Sequence, residues 1–421
     1  MSEYEFKSDL LRCLEKRGFL QQCTDPKALD ERVQKGPITA YIGFDATADC
    51  LHVGSLIQIM MLRWFQKFGH KPIVLMGGGT TKVGDPSGKD SQRKILTTEL
   101  IEQNKNQIAK IFDRFLHFGQ SDHDAIMEDN AKWLDSLGYV DFLRNVGKHF
   151  SINRMLTFDS VKSRLDRDQP LSFLEFNYMI LQAYDFVELN RLYDCELQLG
   201  GSDQWGNIVS GIDLGRRILK NDLYGWTAPL ITTSSGAKMG KTADGAVWIR
   251  DDRFSAYDYW QFWRNTEDAD VIRFLKLFTE LPLDQIETLS KLQGSDINQA
   301  KVILANEATR LCHGKALQEA AEKTAHETFL QQGLGQQLPE MCFSKEQIQQ
   351  SPMITAIIVE LGFAKSNSAA RRLIEAGSVK IDGVKINAVN QALDVSFFKD
   401  SDTLKLSVGK KKFAALKTID A

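Results

Sequence analysis

Two short strings carry residues suited to chemistry on a triphosphate. LHVGS (51–55) places His52 and Gly54 where a strand gives way to a helix. A glycine there lets a flat ring approach the backbone, and a helix N-terminus favours anionic phosphate. KMGKT (238–242) places Lys238 and Lys241 in a loop punctuated by Gly236 and Gly240, where two ammonium groups can close over developing phosphate charge. Taken singly, each string has a plainer reading. A lone histidine after a strand is most often structural, and a lysine pair in a Gly/Ser loop is usually just solvated. Two other glycine-rich stretches do not offer an alternative phosphate site. GDPSGKD (84–90) is one residue short of a P-loop and has Asp90 in place of Ser or Thr, and GGGTTKVG (77–84) breaks the GxGxxG spacing.

A second constellation lies in FNYMILQAYDF (176–186). Tyr178 and Gln182 are four residues apart, and Gln182 and Asp185 three, so on a helix all three point from one face into one pocket. Polar groups among Met179, Ile180 and Leu181 need partners, which argues against simple packing for Gln182 and Asp185. Tyr184 reads as packing. LQLGGSDQWGN (197–207) follows, and a plain turn would explain its glycine pair but not the whole string.

These strings need a scaffold, and the chain predicts one. PITAYIGFD reads as a strand, SLIQIMMLRWFQKFG as a helix closed by Gly69, and PIVLMGGG as a buried strand. Strand, helix and strand in about 40 residues predict a parallel pair with a right-handed crossover. In such sheets, ligands bind at the carboxyl edge. Residues near 100–170 read as mostly helical and polar, an insertion placed at about 112–175. Residues 173–190 read as a helix and CELQL (195–199) as a short strand. A long helix is predicted over roughly 296–332, ending near Gly333. The expected division is a catalytic domain over 1–235, the lysine loop and a helical domain over 236–335, a Gln/Gly/Pro-rich linker over 336–352 and a small module over 353–421. In that module Ser366 caps a helix through Ile374, Gly377 ends it, and SVKIDGVKIN forms a hairpin around Asp382-Gly383.

Composition excludes several classes. The 421 residues are 43% hydrophobic and 25% charged, which is ordinary for a globular chain of two or three domains. No apolar run is long enough to span a membrane, and the charged start lacks the core of a secretory signal. The six cysteines form no CxxC pair, which fits a reducing cytosol better than a disulfide scaffold or a structural zinc. Net charge is -3, but residues 353–421 carry 11 Lys and Arg against 7 Asp and Glu. A basic tail on an acidic body suggests a localised polyanion contact, although charge alone favours a solvated surface.

Taken in order, YIGFDATAD (41–49), LHVGS, FNYMILQAYDF, LQLGGSDQWGN and KMGKT resemble the tyrosyl-tRNA synthetases of class I, bacterial type, from about residue 35 to the C-terminus. The resemblance implies a Rossmann-like α/β catalytic domain with a helical insertion, followed by a helical domain and a small α+β module. It implies ATP as substrate with accompanying Mg2+ and no protein metal site. It also implies tyrosine and tRNA(Tyr) as partners and a homodimer bridged by tRNA, in the cytoplasm and off the membrane. By resemblance, Tyr41 and Asp185 would pair with the phenolic hydroxyl, and Asp85, Tyr178 and Gln182 would hold the ammonium group. Asp45 joins this tyrosine set, and Asp203 and Gln204 would contact ribose and the substrate carboxylate. Thr47 and His52 would meet the phosphates, Gly54, Ser55 and Gly201 would line the ATP site, and Lys89, Arg93, Lys238 and Lys241 would act as mobile cations. Two departures stand out. Ser55 replaces the second histidine of the family's first signature, His-x-Gly-His, which falls at 52–55, and Ile42 stands where the family often has Cys, so a weaker or rearranged nucleotide hold is expected.

The module AKSNSAARRLIEAGSVKIDGVKIN resembles an S4-like RNA-binding domain, with Arg371, Arg372, Lys380, Lys385, Lys410, Lys411 and Lys412 as phosphate contacts. The apolar residues Phe142, Leu143, Phe150 and Met155 of the insertion would form either the dimer interface or core. Competing readings are a tryptophanyl-type synthetase, which gives no reason for the Tyr41/Asp185 pair, and a small-molecule nucleotidylyltransferase, which has no use for an RNA-binding tail. An RNA-binding protein with a degenerate catalytic domain is opposed by the intact lysines.

Overall fold

The computed structural model describes residues 4–87, 95–236, 239–242, 245–330, 338–399, 401–409 and 412–419, with backbone alone at 241–242 and 328–330. The chain forms two compact units, residues 1–255 with 262–314, and residues 256–261 with 315–421.

The first unit is built on a six-stranded sheet of β1 (Gln22–Cys23), β2 (Thr39–Phe44), β3 (Lys71–Met76), β4 (Ile126–Asp129), β5 (Cys195–Gly201) and β6 (Tyr224–Ala228), in the order β1-β6-β5-β2-β3-β4. Every pairing is parallel except β1 with β6. The chain runs outward from β2 through β3 to β4 and then returns to the other side of β2 with β5. The topological switch point, where such sheets open a crevice, therefore lies between β2 and β5. The expected strand–helix–strand unit is present, with β2, the helix Val53–Lys67 and β3 in sequence and Gly69 at a positive φ of 79° just past the helix. The apolar run over 56–62 buries because this helix packs on the sheet.

Three expectations change. The region read as mostly helical also contains β4, which pairs with β3 as an edge strand before the insertion's short helices begin. The long helix expected over 296–332 is two helices, Ile297–His313 and Lys315–Leu330, broken at Gly314 with φ 87°. The expected end at Gly333 lies outside the described residues. Part of the segment read as linker is folded. β9 (Glu340–Ser344) pairs in parallel with the last strand, and the helix Lys345–Gln349 follows with a capping box at Ser344.

Past the lysine loop's small hairpin of β7 (Lys241–Thr242) and β8 (Gly245–Ala246), the C-terminal sheet of the second unit combines β9 with β10 (Val379–Ile381), β11 (Val384–Lys385), β12 (Thr403–Val408) and β13 (Lys412–Ile419), in the order β11-β10-β12-β13-β9. Ser366 caps the helix Asn367–Glu375 by accepting from Ala369 N, Gly377 follows at φ 64°, and Asp382-Gly383 turns the hairpin with both φ values positive. Ile374, Val379, Leu404, Leu406 and Leu416 fill its core. No helix among the described residues is long and apolar enough to cross a membrane.

Candidate active site

A cavity of about 150 Å³ opens at the switch point, lined by the carboxyl halves of β2 and β5, the helix Tyr178–Tyr193, Thr80, Asp85, Asn130 and Gln204. Of the sequence-predicted residues, Tyr41, Asp45, Thr47, Asp85, Tyr178, Gln182, Asp185 and Gln204 all line it. The helical spacing argument holds, since Tyr178, Gln182 and Asp185 all reach one cavity.

Its floor is buried and polar. Tyr41 and Asp185 are 1% and 2% exposed. Asp185 Oδ1 accepts from Trp133 Nε1 at 2.8 Å, and Oδ2 accepts from Asn130 Nδ2 at 3.0 Å. Burial pushes the Asp185 carboxyl up to about 8, against these two hydrogen bonds, which favour its ionised form. Near neutrality the group can therefore either accept from or donate to a hydroxyl in the cavity. Burial likewise raises the Tyr41 phenol well above its ordinary range. The Tyr41 hydroxyl and the side-chain oxygen of Gln198 have no hydrogen-bond partner among the described residues. They are cross-strand partners in the β2–β5 register, so both orphaned groups belong to the same floor. Buried polar groups without partners are costly, and a ligand carrying its own hydroxyl would satisfy them.

The opposite wall is anionic. Tyr178 donates its hydroxyl to Asp45 Oδ2 at 3.0 Å, and Thr80 donates to Asp45 Oδ1 at 2.8 Å. Gln204 donates to Asp85 Oδ2 at 2.8 Å, and Asn207 donates to Gln182 Oε1 at 2.8 Å. Two carboxylates held in this way suit an ammonium group.

The missed residues are Thr80, Asn130, Trp133 and Gln198. Asn130 follows β4 directly and is the hub of the site. Its Oδ1 accepts from Gly79 N at 2.8 Å, and its Nδ2 also donates to Thr80 Oγ1 at 3.0 Å. Gly78 N bonds to Asp129 Oδ1 at 3.1 Å. The triple glycine is thus no phosphate loop. A Cβ at Gly77 would lie 2.2 Å from Asp45 Oδ1, and one at Gly78 would lie 2.3 Å from Asp129 Oδ1. The glycines admit carboxylates from neighbouring strands. The one sequence signal was Asp129-Asn130 after a short apolar run, which reads as a strand end.

His52, Gly54 and Ser55 form the start of the helix Val53–Lys67, which itself lines the cavity through Gln58. The lysine loop does reach the first signature. Val53 N bonds to Val247 O at 2.9 Å, Ile249 N bonds to Leu51 O at 3.0 Å, and a Cβ on Gly240 would lie 3.0 Å from Gly54 N. Two details differ from expectation. His52 caps its own helix, its Nδ1 accepting from Gly54 N at 2.9 Å, so the ring proton sits on Nε2. Moreover, the first-turn amides of Val53, Gly54 and Ser55 are all taken within the chain, by Val247 O, His52 Nδ1 and His52 O. The helix N-terminus offers a phosphate its dipole but not these donors. Glycine at 54 already has an internal cause, since a Cβ would lie 2.6 Å from the His52 ring. Gly201 admits Asp203 in the same way, at 2.6 Å, and both lie outside the cavity lining. Lys89, Arg93 and Lys238 fall outside the described residues, and Lys241 is described by its backbone alone.

In the second unit, Arg371, Arg372, Lys380 and Lys385 are exposed. Lys412 is half-buried and donates to Phe363 O at 3.2 Å, which ties it to its own module. Lys410 and Lys411 lie outside the described residues. In the insertion, Met155 is buried, and Phe142 and Phe150 pack against the same core, which favours the core alternative for them. Leu143 is exposed.

A nucleotide-type parallel sheet, an amino-acid-sized cavity at its switch point, and a lysine loop hydrogen-bonded to a His-x-Gly helix start define a class I aminoacyl-tRNA synthetase. The family described as tRNA synthetases class I (W and Y) matches residues 33–330, and the S4 domain family matches residues 355–396. The chain is 56% identical over 413 residues to the tyrosine–tRNA ligase of Rhodopseudomonas palustris, covering 98% of this chain and 99% of that one. It is 54% identical over 417 residues to the tyrosine–tRNA ligase of Dinoroseobacter shibae, covering 99% and 100%. Among solved structures, a C-terminally truncated mitochondrial tyrosyl-tRNA synthetase of Coccidioides posadasii aligns with TM-score 0.65 at 32% identity, over 75% of this chain and 92% of that one. The Aspergillus nidulans counterpart aligns with TM-score 0.69 at 29% identity, over 77% and 95%. The chain belongs to the tyrosine–tRNA ligases.

Proposed function

We propose that the cavity residues divide the ligase reaction as follows. Tyrosine enters with its phenol between Tyr41 and Asp185 and its ammonium group near Asp85, Tyr178, Gln182 and Asp45. Its carboxylate, already ionised at neutral pH, needs no general base and attacks the α-phosphate of ATP. The bond to pyrophosphate breaks and tyrosyl-adenylate forms. Catalysis is positioning plus charge stabilisation. Thr47 and the Nε2–H of His52 serve the phosphates, Lys89, Arg93, Lys238 and Lys241 serve as cations, and Mg2+ accompanies ATP as part of the substrate. Asp203, with Gly201, serves the ribose, and Gln204 the carboxylate. A ribose hydroxyl at the 3′ end of tRNA(Tyr) then attacks the adenylate's carbonyl and releases AMP. The orphaned Tyr41 hydroxyl, facing the cavity that Asp185 lines, carries this reading. Amino-acid-dependent exchange between pyrophosphate and ATP, run across the twenty amino acids, tests it. Tyrosine alone should support exchange, and exchange with tryptophan would overturn it.

The basic C-terminal module serves tRNA. β9 belongs to its sheet, so a clean truncation removes residues 338–421 rather than starting within the folded segment. That protein should keep adenylate formation and lose tRNA charging, and equal loss of both would refute the division. The exposed Tyr139, Val140, Ile152 and Phe173 of the insertion support a homodimer through that region, which a monomer in sedimentation velocity would remove. Six free thiols support a cytoplasmic setting, checked by cell fractionation.

A further inference from the structure

The lysine loop is rooted, where it leaves the sheet, on a polar clamp that the steps above do not use. Asp270, 3% exposed, precedes the helix Val271–Phe278. Its Oδ2 accepts from Ser234 N at 2.7 Å, and its Oδ1 accepts from Arg273 Nη2 at 2.7 Å. The same Arg273 nitrogen donates to Thr232 O. Glu267 accepts from Ser234 Oγ at 2.6 Å and from Ser235 Oγ at 2.8 Å. Apart from the Asp270–Arg273 pair itself, these bonds land on residues 232–235, just before Gly236 at φ 86°, and Gly240 follows at φ 84°. Between them, Met239 N returns to Ile231 O at 3.0 Å, so the loop is closed at its base.

Ser234 and Ser235 are exposed, so the clamp buries no apolar surface there. A buried carboxylate is a poor stabiliser by itself, and its evident effect here is to fix where the loop begins. We propose that Asp270, with Arg273 and Glu267, is a positioning residue for adenylate formation. It fixes the stem of the loop at residues 232–235, so that the lysines assigned to the triphosphate start from a fixed base with little orientational loss. The inference rests on the assignment of Lys238 and Lys241 to the triphosphate.

Full-length Asp270→Ala, Asp270→Asn, Glu267→Gln and Ser234→Ala would be compared with Lys238→Ala and Lys241→Ala. Equilibrium dialysis would give tyrosine affinity without ATP, and single-turnover adenylate formation would be followed across ATP concentrations. Both lysine variants should slow activation and leave tyrosine affinity intact. Asp270→Ala should do the same by about tenfold, with tyrosine affinity within about twofold. Asp270→Asn should be milder, because its amide oxygen can still accept from Ser234 N. Equal loss of tyrosine affinity and activation in Asp270→Ala would mean a merely structural role and overturn the proposal. Slowed lysine variants beside unchanged clamp variants would overturn the clamp alone, whereas silent lysine variants would remove the loop assignment and the clamp with it. If Asp270→Ala does not fold, Glu267→Gln and Ser234→Ala decide, and wild-type activation rates in both would overturn the proposal.

Discussion

One helix serves two unlike walls of the active site. Gln58 lines the amino-acid cavity, and one turn earlier His52 and Gly54 meet the lysine loop. The amino-acid wall is fixed before any ligand arrives. Asn130, directly after β4, joins the triple glycine, Thr80 and Asp185 through side-chain hydrogen bonds at 2.8–3.0 Å. The wall proposed for the nucleotide includes a loop with glycines at positive φ, and the helix-start amides are spent internally. The difference follows from the task. Telling one hydroxyl from none requires groups that cannot relax to satisfy one another, whereas the proposed handling of a triphosphate requires cations rather than a closed hydrogen-bond network.

The largest test of the fixed wall is Asp185→Asn. The Asn130 amide cannot flip, because its oxygen already takes Gly79 N, so the new amide nitrogen must face a donor, either Trp133 Nε1 or Asn130 Nδ2. Tyrosine-dependent exchange should fall about a hundredfold, corresponding to about 3 kcal/mol. Stability supplies a second readout. Asp185 is raised to about 8 in the fold and is ordinary when unfolded, so between pH 4 and 8 the folded state holds the extra proton and wild-type stability declines as pH rises. Asparagine does not titrate. Its melting-temperature deficit should therefore be larger at pH 5 than at pH 8, and a deficit that grows with pH would contradict the buried, proton-holding Asp185.

Tyr41→Phe should cost less. It deletes a hydroxyl that has no partner among the described residues, so the melting temperature should stay level or rise. Exchange with tyrosine should drop about tenfold, and the preference for tyrosine over phenylalanine should shrink. A loss of stability without a loss of preference would show that the hydroxyl serves the fold rather than the substrate.

The fixed wall was also the more legible from sequence, but only in part. Tyr178, Gln182 and Asp185 announced themselves because three and four residues on a helix share a face, a local rule. Asn130 and Trp133 did not, because the strand just before them is four residues long, half-exposed and at the sheet edge, where no run of buried apolar residues forms. β9 was hidden for a related reason. Phe343 and Ile348 are buried, yet the parallel partner of β9 is β13, some 70 residues away, and a Gln/Gly/Pro-rich composition masks the strand. Gly314 was lost within a helical pattern that continues on both sides of it, and nothing local distinguishes a tolerated glycine from one at φ 87°. On the nucleotide side, the two signatures were legible as residue types, but the spending of the amides of residues 53–55 was not, because it depends on how His52 turns its ring.

That last point reshapes the expectation for Ser55→His, the smallest effect and the one that tests the wall proposed for the nucleotide. Ser55 is the third residue of its helix, and its amide is bonded to His52 O at 2.8 Å. Since the first-turn amides give a phosphate no direct bond, a ring N–H at position 55 would be a new donor beside a dipole that already favours the anion. The ATP KM should fall about threefold, within the range of one added hydrogen bond to a charged group that must also order a side chain. Tyrosine affinity should not move, because Ser55 does not line the cavity. An unchanged or higher ATP KM would mean that the helix start does not face the triphosphate, and the nucleotide would then depend on the loop cations alone.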